Sequence, residues 1–180
     1  MGARVIGVVG VAGSGKILVA DHLARRHGYR RLRFADCIKA ALTTGMGLDP
    51  SMFARSSSAA PLPSIAPDHP LQLLRHHWGS RLVHPTVAAA AWARVLEDSE
   101  SSEPIVADDV RYPQEAAAIK WAGGSIWRVV RPGLVVTDTF TEHSQASIEE
   151  DVLINNATTI EALLASVDML AAQAEGTAHV

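Results

Sequence analysis

The chain has 180 residues, 48% of them hydrophobic and 19% charged, with a net charge of −3. The length suits one buried core, and the balance excludes a disordered or collagen-like chain. The charge provides no global field for nucleic acid or an anionic membrane, no apolar run approaches the roughly 20 residues of a spanning helix, and the lone Cys37 can form no internal disulfide.

Residues 5–9 form a short apolar run rich in β-branched side chains, which predicts a strand buried on both faces, as in a parallel sheet. The apolar run at the start is too short for a secretory core, so with the single cysteine the expected location is the cytoplasm. Helical spacing covers residues 16–27, with Val19, Leu23 and Ala24 on one face and Gly28 as the C-cap. A second strand is expected at 31–34 and a helix at 37–42.

Residues 49–70 differ in composition, with Ser56, Ser57 and Ser58 and prolines at 61, 63, 67 and 70. A stretch of this kind reads as a mobile excursion from the core. Helices are expected at 71–78 and 87–96, and a strand at 104–107 ending in Asp108 and Asp109. An alanine-rich helix spans 114–121, opened by Pro113 and closed by Gly123 and Gly124. Strands at 126–130 and 152–154 and a helix at 159–172 complete the chain, followed by a fraying tail. Strands alternating with helices predict an α/β fold, with a five-stranded parallel sheet carrying helices on both faces. Residues 1–175 are expected to form one domain, with 131–150 as a lid-like segment and 176–180 as a frayed tail.

Between the first strand and the first helix lies Gly10-Val11-Ala12-Gly13-Ser14-Gly15-Lys16, which satisfies G-x-x-x-x-G-K. The glycines let the backbone turn around phosphates, successive N–H groups form an anion nest, and the helix N-terminus adds partial positive charge. Lys16 supplies a point charge for the β- and γ-phosphates. Gly10, Ala12, Gly13, Ser14, Gly15, Lys16 and Ile17 are therefore the expected nucleotide-binding residues of a P-loop fold. The dinucleotide pattern G-x-G-x-x-G is not met. The residue after the lysine, which normally carries a metal-binding hydroxyl, is Ile17.

Asp109 and Arg111 follow the strand at 104–107, at the end that faces the ligand crevice of an open α/β sheet. Asp109 can hold Mg²⁺ through water and Arg111 can grip a phosphate bidentately. A surface turn with an Asp–Arg pair is the other reading of this cluster, and the glycine loop favours the first. Arg131, in Arg131-Pro132-Gly133, suits a lid over phosphates, with a solvated arginine as the alternative. Arg128 reads as solvated. Trp78, Trp92, Trp121 and Trp127 read as core, as does Cys37. His76 and His77 have no metal-ligand spacing with a further pair.

Several of these segments together resemble the deoxynucleoside monophosphate kinases of tailed bacteriophages. The glycine loop is one. Phe34-Ala35-Asp36 with Lys39 is similar to the family's Phe-Ala-Asp-x-x-Lys, and residues 109–116 match its Asp-Val-Arg-Phe/Tyr-x-x-Glu-Ala. Gly123-Gly124, Arg131-Pro132-Gly133, His143-Ser144-Gln145 and Asn155-Asn156-Ala157-Thr158 follow in the family's order. The chain departs from the family at Ile17-Leu18, where an Asp-Thr pair is usual, and near Arg81, where a basic residue replaces an acid.

The resemblance implies transfer of the ATP γ-phosphate to a (deoxy)nucleoside monophosphate, with ATP and Mg²⁺. Lys16, Asp109, Arg111 and Arg131 would be catalytic, Asp109 would place the metal, and Asp36, Lys39 and Arg111 would bind the acceptor. The expected partner is that monophosphate, with no nucleic acid and no membrane; a homodimer is an allowed assembly. Two alternatives stay open: a degenerate P-loop protein that binds nucleotide without turnover, and a kinase for another small acceptor.

Overall fold

The central strand is the one the sequence marks most strongly. In the computed structural model, which describes residues 5–47, 49, 84–99, 103–134 and 140–176, β1 (Val5–Val9) is buried at all five positions. It pairs in parallel with β3 (Ile105–Ala107) on one side and β4 (Ser125–Val130) on the other, with Gly7 opposite both Ala107 and Ile126. β2 (Arg30–Arg31) joins the outer edge of β3, and β5 (Val152–Asn155) that of β4. The sheet order is β2-β3-β1-β4-β5, parallel throughout, as the alternation of apolar strands and helices predicts.

The chain divides into two compact units. One comprises Met1–Arg33 with Ser99–Val180 and holds the sheet; the other comprises Phe34–Asp98.

In the sheet unit, alternate strand residues serve opposite faces. Ile6 and Val8 join Val19, Ala20 and Leu23 of α1 (Lys16–His27) and Leu163, Val167 and Ala171 of α6 (Ile160–Gly176) in one apolar cluster. On the opposite face, α4 (Pro113–Trp121) sits so close that a Cβ on Gly7 would lie 2.4 Å from Ile119 Cδ1. Helices thus cover both faces, as expected. α1 ends at Gly28, whose left-handed φ of 68° lets its N–H return to the Leu23 carbonyl. Arg25 and Arg26 in the last turn complement the helix dipole.

In the other unit, α2 (Phe34–Met46) lies with α3 (Val87–Glu97). Phe34 and Trp92 stack with ring centroids 4.9 Å apart, and Cys37 is buried as expected.

Three expectations need correction, and one further element was not anticipated. The second strand stops at Arg31, because Phe34 already begins α2 and is buried in stacking contact with Trp92. A helix not anticipated, α5 (Phe140–Ala146), lies inside the lid-like segment. Trp121, read as core, is 74% exposed at the end of α4. Arg128, read as solvated, is largely buried: its Nε donates to Glu150 at 2.7 Å, and its Nη2 donates to the carbonyls of Gln145 (3.1 Å) and Ile148 (2.5 Å). It fastens the segment leading from α5 to β5. The expected excursion at 49–70, the helix at 71–78 with His76, His77 and Trp78, and Arg81 lie outside the described residues, Asp49 excepted. No described helix is long and apolar enough to cross a membrane.

Candidate functional site

β1 and β3 are neighbours, yet the chain leaves β1 for the β2 edge and leaves β3 for the β4 side. Their carboxyl ends therefore flank a topological switch point, the place where open α/β sheets bind ligands. The loop after β1 is the glycine loop; the loop after β3 carries Asp108, Asp109 and Arg111.

The glycine loop is constrained from two sides. A Cβ on Gly10 would lie 2.5 Å from the Val129 carbonyl, so no larger residue fits there. Gly15 adopts a left-handed φ of 106°, and a Cβ on it would lie 2.7 Å from Asn156 Nδ2. Asn156 follows β5 and donates from that Nδ2 to the Ser14 carbonyl at 2.8 Å. The Ser14 N–H donates to the Val11 carbonyl at 3.2 Å, which closes the turn. Lys16 folds back, with Nζ donating to the same carbonyl at 3.2 Å.

The Ser14 side chain is fully buried, and its hydroxyl has no hydrogen-bond partner among the described residues. A buried hydroxyl without a partner is costly and points to a missing one. The first turn of α1 carries no acidic residue to offset the helix dipole. A loop of this kind, with Lys16 beside it, has the chemistry of an anion cradle. Over the loop stands Leu134, just past Arg131-Pro132-Gly133; its Cδ2 would be 3.5 Å from a Cβ on Gly13. Arg131 itself is exposed.

Asp108 and Asp109 differ in environment. Asp108 is 4% exposed and is held by two arginines: Arg33 donates from Nε (2.7 Å) and Nη2 (3.0 Å), and Arg31 donates from Nη2. Arg31 also reaches Asp21 of α1 through Nη1 at 2.5 Å. Burial raises the Asp108 pKa, but the hydrogen bonds and charges of Arg33 and Arg31 outweigh it and hold the carboxyl below its ordinary range. Its oxygens are thus committed to a network joining β2, α1 and β3. Asp109, partly exposed, is the adjacent carboxylate on the same loop.

The Arg111 backbone is positioned by Glu115, a residue of the 109–116 motif with no role expected from the sequence. Glu115, 1% exposed in the first turn of α4, accepts from the backbone N–H groups of Arg111 (2.8 Å) and Tyr112 (3.2 Å). Gln145 of α5, also buried, donates to the Val110 carbonyl at 3.2 Å. Asn156 is the other residue without an assigned role. Its signal was the Asn155-Asn156 pair at the end of the last strand, but its contact with Ser14 spans 142 positions and is a product of the fold.

The loop residues Gly10, Ala12, Gly13, Ser14, Gly15, Lys16 and Ile17 thus share the sheet unit with Asp109, Arg111 and Arg131. Ile17 is 50% exposed. Asp36 and Lys39 belong to the other unit, where Lys39 Nζ donates to Asp36 at 3.3 Å.

No protein-family model matches the chain. A protein of Acanthamoeba polyphaga mimivirus, provisionally named a deoxynucleotide monophosphate kinase, is 30% identical over 171 residues, covering 85% of this chain and 89% of its own. Among solved structures, dephospho-CoA kinase from Campylobacter jejuni aligns with a TM-score of 0.55 and 11% identity, covering 96% of this chain and 97% of its own. Shikimate kinase from Aquifex aeolicus aligns with a TM-score of 0.53 and 11% identity, covering 96% and 98%. The two structures share the P-loop kinase fold with this chain. With the loop, the sheet order and the mimivirus relative in agreement, the chain belongs to the deoxynucleotide monophosphate kinase family of P-loop kinases.

Proposed function

We propose that the chain transfers the γ-phosphate of ATP to a (deoxy)nucleoside monophosphate, giving the diphosphate. The observation that carries this reading is the loop itself: left-handed glycines, a buried Ser14 hydroxyl that lacks a partner among the described residues, and Lys16 at the start of α1. That geometry suits the phosphates of a nucleoside triphosphate. The mimivirus relative's name supports a deoxynucleotide acceptor.

In this reading the loop amides and Lys16 bind the donor phosphates. Arg111, aligned through its backbone by Glu115, holds the acceptor phosphate. Arg131 closes over the transferring group, while Asp36 and Lys39 contact the acceptor nucleoside. The attacking phosphate oxygen is already ionised at neutral pH, so no general base is needed, and these residues act by positioning and charge neutralisation. Mg²⁺ supplies further neutralisation when bound with the nucleotide. Asp109 is the residue here to help hold it, since Asp108 is committed to arginines and Ile17 offers no oxygen.

A coupled assay with ATP, Mg²⁺ and each common ribo- and deoxyribonucleoside monophosphate tests the reading. Turnover with at least one monophosphate is expected. The half-exposed Ile17 favours a second reading, nucleotide binding without turnover, which gains if ATP binds and no acceptor is phosphorylated.

A further inference from the structure

Along the second half of α1, away from the glycine loop, three potential metal ligands converge. His22 and His27 both lie on α1, and Asp168 lies on α6. Each imidazole Nε2 is 2.7 Å from the same Asp168 oxygen, Oδ1, and the three atoms lie within 4.8 Å of one another. The two rings meet edge to face with centroids 5.8 Å apart. Both histidine side chains are only 15% exposed and Asp168 is 34% exposed, so the cluster is partly shielded yet open on one side. Arg26 approaches the other oxygen, Oδ2, at 3.4 Å and is itself 67% exposed. That leaves Oδ1 facing the two rings.

We propose that His22, His27 and Asp168 form a binding site for a divalent transition-metal ion of the Zn²⁺ type, stapling α1 to α6. Two imidazoles and one carboxylate are a donor set that zinc accepts, with water in the fourth position. Metal–ligand bonds of about 2.0–2.2 Å place neighbouring ligand atoms slightly farther apart than the present 2.7 Å contacts, so the rings need only open outward. The proton balance is simple. The metal takes the Nε2 lone pair of each neutral imidazole, and any proton carried on Nε2 in the metal-free protein passes to Nδ1 or to solvent on binding. Oxygen-seeking Mg²⁺ and Ca²⁺ are disfavoured by the two nitrogens. His22 and His27 lie six and eleven positions past Lys16, rises of about 9 and 16 Å along α1, so a metal here is separate from the one that accompanies ATP. The site does not depend on the phosphotransfer reading.

The experiment is zinc titration of the untagged, nucleotide-free protein, by calorimetry and thermal melting, with Mg²⁺ in excess. One saturable Zn²⁺ per chain and a raised Tm are expected. His22→Gln and Asp168→Asn should each weaken binding by at least about tenfold, since even outer-shell changes cost that much. Lys16→Ala should leave it unchanged. Where either variant folds poorly, the parent decides: nitrogen-15 spectra should show the Nε2 resonances of His22 and His27 shifting together with zinc. Absence of saturable binding, displacement of Zn²⁺ by Mg²⁺, zinc affinity unchanged in folded His22→Gln and Asp168→Asn, or unshifted His22 and His27 resonances would each overturn the proposal.

Discussion

The Asn156 side-chain amide donates to the Ser14 carbonyl at 2.8 Å and fills the space where a side chain on Gly15 would project. The end of β5 thus braces the glycine loop at the point where the loop enters α1. Asn156→Ala removes one neutral hydrogen bond, worth about 1 kcal/mol. It should lower the Tm by about 2–4 °C and, where the brace shapes the loop for phosphate, raise the Kd for ATP by up to roughly fivefold. Gly15→Ala introduces both a steric overlap and an unfavourable φ, and should weaken ATP binding further. Calorimetric titration with ATP measures both; unchanged affinity in Gly15→Ala would mean that the brace does not shape the site.

Lys16→Ala should abolish turnover while leaving the fold intact. The Lys16 ammonium donates to the Val11 carbonyl in a part-buried contact, and the α1 residues that enter the core are Val19, Ala20 and Leu23, so the helix keeps its packing without the lysine. Native circular dichroism with unchanged kcat would contradict the assignment.

Arg111→Ala should raise KM for the monophosphate far more than for ATP. A hydrogen bond to a charged group contributes about 1.5–3 kcal/mol, so a loss of at least about tenfold is expected. Glu115→Gln tests the support. It leaves an acceptor for the Arg111 and Tyr112 amides but removes the charge, and should raise the same KM by a smaller factor. Equal effects on both substrates would place Arg111 on the donor side.

Ile17→Thr supplies an oxygen where the sequence carries a branched alkyl group. Mg²⁺ takes oxygen ligands at about 2.0–2.1 Å, and isoleucine offers none. The substitution should lower the Mg²⁺ concentration for half-maximal rate, or create activity in an inactive parent. Ile17 is 50% exposed, so the cost in stability should be small, which thermal melting checks.

Asp108→Asn should destabilise the fold. Breaking a fully buried ion pair costs about 3–5 kcal/mol; Arg33 here is 36% exposed, which lowers the expectation to about 2 kcal/mol. The pH dependence follows from the depressed Asp108 pKa. The stabilisation is complete above the ordinary carboxyl value of about 3.9 and is lost as pH falls through the lower folded value. The parent should therefore lose stability below about pH 4 more steeply than the variant. Parallel acid-unfolding slopes would show that the pair contributes nothing.

The sequence by itself determined the fold class and the glycine loop. Both are local patterns: an all-apolar strand, a loop whose glycines meet backbone demands, and a helix of matching period with Gly28 at its end. Where burial depends on distant neighbours, the sequence was silent or misleading. Trp121 and Arg128 show it, since an aromatic ring lies in water and a guanidinium is enclosed. Asp108 and Asp109 are alike as letters, and only the arrival of Arg31 and Arg33 from another strand and its exit commits the first and leaves the second on the loop. His22, His27 and Asp168 carry no recognisable spacing, because their meeting depends on α6 packing beside α1. Asn156 reaches Ser14 because parallel pairing sets the end of β5 beside the loop after β1, a contact decided by sheet order rather than by any neighbouring residue.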